Sequence, residues 1–153
     1  MKAGFARALV ALGCTAGTAC FGQGQSVPPT SPPVRCEAPF TVPAGFGVAE
    51  MLDDRYVDHI GVRVRLRDNR DRELQFFFGV PGEYGERAPV VGRRTVYSGE
   101  SATLFRSPDE NWILSWFTDG PCGSNAIFGH GFRMKEEFLG VLEETGLIEP
   151  PER

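Results

Sequence analysis

Histidine and cysteine are scarce in this chain of 153 residues, which has only His59, His130, Cys14, Cys20, Cys36 and Cys122. They form neither a CxxC nor an HxxxH pair, so the spacings that hold zinc are missing and no metal site is expected. No Gly-x-Ser-x-Gly occurs, and Asp58-His59 has no identifiable nucleophile to activate, so it reads as a solvated loop pair. Asp53, Asp54 and Asp58 lack the glycine and terminal glutamate of a calcium loop and read as strand-end acids. No catalytic constellation and no cofactor follow from these residues, which leaves a binding or structural role by elimination. A long apolar run is also missing: Ala8 to Phe21 is too short and too rich in Gly and Thr for a membrane span, which needs about 20 apolar residues. Excess positive charge is missing too. A net charge of −4 argues against nucleic acid or an anionic membrane surface as partner.

The chain does open with an export pattern. Lys2 and Arg7 precede the uncharged run, the order of a secretory signal, so residues 1–20 are expected to be a signal segment. Gly17-Thr18-Ala19-Cys20 resembles the lipobox of bacterial lipoproteins, in which small residues precede a cysteine that becomes lipidated. Ala11-Leu12-Gly13-Cys14 is a second candidate, and plain cleavage near Ala19 or Gly22 is the alternative. Each outcome sends the chain out of the cytoplasm; a lipid on Cys20 or Cys14 makes the membrane its partner. Residues 21–35, with the run GQGQSVPPTSPPV, cannot bury enough apolar surface to offset ordering entropy and read as a tether. Loss of Lys2 and Arg7 takes the net charge from −4 to −6. Cys36 and Cys122 are then the remaining pair, and in an oxidising compartment such a pair reads as a disulfide.

Residues 36–153 amount to one domain, expected to be α+β: an antiparallel meander of about five to six strands with one C-terminal helix packed on the sheet. His59 to Arg67 alternates strictly, with Val62, Val64 and Leu66 on one face and Arg63, Arg65 and Arg67 on the other. A charged turn, Asp68 to Arg72, leads into Glu73 to Val80. Phe46 to Leu52, Arg94 to Tyr97, Ala102 to Arg106, Trp112 to Phe117 and Asn125 to Phe128 are further strand candidates, and Pro81 to Gly92 reads as a loop. Met134, Phe138, Val141 and Leu142 recur at helical spacing over 133–145; Glu136 and Glu137 suit the first turn and Gly146 can stop the helix. Gly140 inside it suggests close packing against the sheet.

Phe76, Phe77 and Phe78 cannot share one face of a pleated strand, and Trp112 and Trp116 oppose Ile113 and Phe117 in the same way. One helix covers one face. The other must meet the N-terminal segment, the long loop, a ligand or a partner, which makes Phe76, Phe77, Phe78, Trp112 and Trp116 candidate ligand-binding residues. Gly129-His130-Gly131 reads either as an anion cradle at the helix N-terminus or as a flexible connection. The arginine stripe reads either as a phosphate or carboxylate site or as a salt-bridged surface.

The order of elements from Trp112 to Ile148 (a Trp-containing strand, a Gly-rich turn, a strand, a terminal helix) resembles the end of extracytoplasmic bacterial domains. These are the sensor-like domains of anti-sigma factors and the half-barrel lipoprotein carriers that hold acyl chains on a sheet. The export pattern, the missing catalytic constellation and the sheet face left uncovered by the helix lead to the expectation of an exported, membrane-tethered, non-enzymatic domain that binds an apolar small molecule or an envelope protein there, or has a structural role in the envelope. The alternative is a secreted, hydrolase-like enzyme.

Overall fold

The computed structural model describes residues 31–82, 84–85 and 87–150. The expected signal segment, Cys14 and Cys20, and the tether up to residue 30 lie outside the described residues. The α+β class holds, but the strand count and topology differ from expectation. Among the described residues, eight strands form one mixed sheet: β1 (Val34–Arg35), β2 (Phe46–Arg55), β3 (His59–Asp68), β4 (Glu73–Phe78), β5 (Val90–Thr95), β6 (Ser101–Arg106), β7 (Trp112–Phe117) and β8 (Ser124–His130), followed by helix α1 (Lys135–Thr145).

The chain does not run as a simple meander. Two antiparallel meanders, β2-β3-β4 and β5-β6-β7-β8, are joined through a β4–β8 ladder, giving the order β2-β3-β4-β8-β7-β6-β5. The extra strand, β1, pairs parallel with His59 and Ile60 of β3. Arg55 of β2 holds the other edge at Ile60, so β1 lies on the β4 side, beyond the end of β4. It was missed because two residues carry no period.

Strand alternation sets the two faces. Val62, Val64 and Leu66 of β3, Leu74, Phe76 and Phe78 of β4, Ile127 of β8, Trp112, Leu114 and Trp116 of β7, and Leu104 of β6 line the first face and form the core. Helix α1 covers it with Phe138, Leu139 and Leu142. The N-terminal segment lies on the same side, with Phe40 stacked on Phe76 at 4.8 Å and Thr41 N–H donating to the Thr145 carbonyl. Gly129 is required by this packing, since a Cβ there would lie 2.5 Å from the Phe138 ring. Cys36 and Cys122 form the expected disulfide, with Cα atoms 5.4 Å apart.

The helix departs from expectation at its start and in its interior. It begins at Lys135, because Met134 is extended (φ −116°, ψ 147°) and 62 % exposed; Leu139 takes the place expected for Met134 on the buried face. No side chain caps it at Met134, but the Glu137 carboxylate accepts from Arg133 N–H. Gly146 stops it in the left-handed region (φ 76°), as expected. Gly140 does not pack against the sheet: a Cβ there meets nothing within 4 Å. Gly140→Ala is therefore expected to raise stability by about 1 kcal/mol, read as a rise in the thermal midpoint. A loss of stability would show that this position is crowded after all.

The hairpin between β3 and β4 is knotted to the helix. Asp68 accepts backbone N–H groups from Arg70 and Arg72 at 2.8 and 2.9 Å and the Arg72 guanidinium at 2.7 Å. Burial pushes the Asp68 carboxyl up, but these donors outweigh it and hold it below the ordinary carboxylate range. Arg72 also reaches Glu137 at 2.8 Å and lies over the rings of Phe46 and Phe132.

Candidate ligand groove

The second face is not bare. To pass from β4 in the middle of the sheet to β5 at its edge, the chain must cross β8, β7 and β6, and its Tyr84 and Gly85 lie over this face. Tyr84 packs on Phe77 at 5.6 Å and on Phe128 at 5.8 Å, its hydroxyl donates to the Val80 carbonyl, and burial pushes its phenol up to about 12. Gly85 lies so close to Phe105 that a Cβ would sit 2.6 Å from that ring.

Beside this loop lies a groove of about 380 Å³, lined by Tyr84, Glu100, Ser101, Thr103, Phe105, Ser115, Trp116 and Phe117. Its origin is a gap in the ladder. Val96 N–H donates to the Glu100 carbonyl and Thr95 faces Ser101 in register, which turns the Ser101 N–H and C=O away from β5 and toward β7. Thr118 N–H donates to the Gly123 carbonyl and Phe117 faces Ser124, which turns the Phe117 N–H and C=O toward β6. Yet the last β6–β7 pair is Thr103 with Ser115, so the Ser101–Phe117 pair is not made. The two strand ends are held by different neighbours: β6 by the β5 turn, whose Val96 bridges Ile148, and β7 by β8 and the Cys122 disulfide. The resulting groove combines the aromatic residues Tyr84, Phe105 and Phe117 with the aliphatic hydroxyl residues Ser101, Thr103 and Ser115 beside the open end of the ladder. Phe117 is 67 % exposed at its rim. Such a mixture of apolar surface and few polar groups is what small-molecule sites use.

The structure separates the residues expected to bind ligand. Phe76, Phe78 and Trp112 are core residues, 0 to 8 % exposed, because their positions in β4 and β7 point under Phe40 and the helix. Trp116 is equally buried against Phe78 but also lines the groove, and its indole N–H has no hydrogen-bond partner among the described residues. Phe77 alone of the five points to the second face. A single ligand surface made of all five is thus not formed. Phe78 also borders a second hollow of about 250 Å³ with Phe40, Met51 and Val64. Phe105, Phe117 and Tyr84 were not singled out from the sequence; an aromatic at a strand end beside the turn Thr118-Asp119-Gly120 was the available signal.

The remaining candidates resolve into structural roles. Arg63 pairs with Asp54 at 2.6 Å, Arg65 with Glu50 at 3.2 Å and Arg67 with Glu73 at 2.6 Å, so the stripe is a salt-bridged surface, each such pair worth about 0–1 kcal/mol. Asp53 pairs instead with Arg35, whose hydrogen bond lowers its pKa. His59 is buried rather than solvated: Nδ1 meets Asp58 at 2.6 Å and Nε2 meets the Gly79 carbonyl at 2.7 Å. Both ring nitrogens are engaged, leaving none to activate a nucleophile, and the Asp58 carboxyl is lowered by the His59 contact. At Gly129-His130-Gly131 the chain turns from β8 toward the helix, whose first turn already carries Glu136 and Glu137. Compared with protein-family models, curated proteins and solved structures, the chain matches none.

Proposed function

We propose that this chain is an exported, non-enzymatic binding domain, tethered to a membrane by a lipid on Cys20, whose ligand is an apolar small molecule seated in the groove between β6 and β7. The observation that carries the reading is the exposed Phe117 beside Phe105 and Tyr84, over a ladder left open at Ser101. Aromatic surface beside a few polar groups that have no strand partner is the lining that small-molecule sites use. The disulfide supports an oxidising compartment. A secreted hydrolase gains nothing from His59, whose nitrogens are both occupied.

The test is uptake of N-phenyl-1-naphthylamine, followed by its fluorescence. Saturable enhancement is expected, and Phe117→Ala is expected to weaken it about tenfold, a loss of about 1.4 kcal/mol, with the thermal midpoint held because Phe117 contributes little to the core. No enhancement, or enhancement indifferent to Phe117→Ala, contradicts the assignment of the groove. For the tether, Cys20→Ser is expected to move the protein from the membrane to the soluble fraction on fractionation; unchanged partitioning with Cys14 also replaced contradicts the lipid anchor.

A further inference from the structure

We infer that the end of the sheet at which the chain enters, at Val34, rests on the surface of a zwitterionic bilayer through Val57, Tyr97 and Phe117. The inference rests on the lipid-anchor reading and is independent of the groove's ligand. Strand pairing gathers this end. Arg35 of β1 and Arg55 of β2 both face Ile60, Phe78 faces Val62 and Asn125, and Asn125 faces Trp116. The ends of β2, β4 and β7 therefore lie beside the starts of β1, β3 and β8. Tyr97, in the β5–β6 turn, joins them, because it lines a small hollow of about 90 Å³ with Arg35, Thr118 and Cys122.

Two observations mark this end as the one that meets lipid. The first is composition. Val57, at the tip of the β2–β3 turn, is fully exposed, and Tyr97 and Phe117 are exposed at the other two connections; tyrosine in particular suits a membrane–water boundary. At the opposite end the turns Asp68 to Arg72 and Ser107 to Asn111 hold only charged and polar residues and Pro108. Val90, Val91 and Met134 are exposed there too, but Met134 lies between Arg133 and Lys135. The second is connection: a lipid on Cys20 is joined to the sheet at Val34, and the opposite end is a strand length further away, about 30 Å for the ten residues of β3. Three exposed side chains bind weakly by themselves, in keeping with release by Cys20→Ser. The anchor makes the contact intramolecular, at an effective concentration on the order of millimolar. Asp58, Glu100 and Asp119 in the same three turns outnumber Arg55, since Arg35 is paired with Glu37 and Asp53, which selects a neutral lipid surface over an anionic one.

The experiment places the lipidated chain in phosphatidylcholine nanodiscs with a nitroxide on some of the head groups and compares amide intensities before and after the nitroxide is reduced. The amides of Val57, Tyr97 and Phe117 are expected to lose most of their intensity, and those of Arg70 and Glu110, at the opposite end, to keep theirs. Val57→Asp, which lies outside the groove and is fully exposed, is expected to reduce the loss at Tyr97 and Phe117 about twofold, as the linked contact weakens. Met134→Asp, at the opposite end, is expected to leave it unchanged. Equal loss at both ends, or greater loss at Arg70 and Glu110, overturns the inference and leaves the anchor standing. A loss at Tyr97 and Phe117 that is indifferent to Val57→Asp also overturns it, because the anchor alone then brings this end near the lipid. A chain that carries no lipid and does not enter the discs removes the anchor and the inference together.

Discussion

Phe76→Ala is expected to lower the unfolding free energy by about 3–5 kcal/mol, the cost of deleting a fully buried aromatic ring, measured by denaturant titration of the soluble domain. Phe76 has no exposed surface, stacks on Phe40 and pairs with Ile127 and Val64 in the centre of the sheet. Phe77→Ala, one residue away on the other face, is expected to cost only about 2 kcal/mol, from partial burial, a tilted ring contact with Tyr84 and an edge contact with Phe128. The contrast is a direct consequence of the pleat. Equal losses would mean that the crossing loop seals the second face as tightly as the helix seals the first.

Loss of the Cys36–Cys122 disulfide is expected to cost about 4.6 kcal/mol, the chain-entropy value for a loop of this length; the bond spans 86 residues. The same loss should follow from reduction of the natural protein and from Cys36→Ala combined with Cys122→Ala, read from denaturant midpoints. The bond holds β1 and the β7–β8 turn together around Gly79, whose φ of 62° excludes a side chain comfortably and whose Cβ would fall 2.4 Å from the Cys36 sulfur. A loss under about 1 kcal/mol would show that His59, Gly79 and Asn125 hold this corner without the covalent link.

Local periodicity made much of this legible. The alternation of Val62 to Arg67, the charged turn, the aromatic strand and the helix stopped at Gly146 all follow from spacing, and the disulfide follows from counting cysteines once Cys14 and Cys20 are assigned to the export segment. The order of the strands does not. The β4–β8 ladder joins residues about fifty positions apart, as in Phe76 with Ile127, and nothing local to either strand records its partner. The crossing loop follows from that ladder, so the cover over Phe77 and Phe128 was equally hidden. Gly129 sits in the strand that ends at the expected flexible connection, whereas its reason is the Phe138 ring above it. The groove is harder still to read, because it arises from a pair that is not made, Ser101 with Phe117, and an absent hydrogen bond leaves no trace in composition or period.

The central claim, that the gap between β6 and β7 is a ligand site, is tested most directly by backbone amide chemical shifts during titration with N-phenyl-1-naphthylamine. The account predicts shifts clustered at Ser101, Thr103, Phe105, Ser115 and Phe117, with the Phe117 amide, which faces the gap, among the largest. Shifts gathered instead at Phe40, Met51 and Phe78, around the second hollow, or no shifts at saturating ligand, would contradict it.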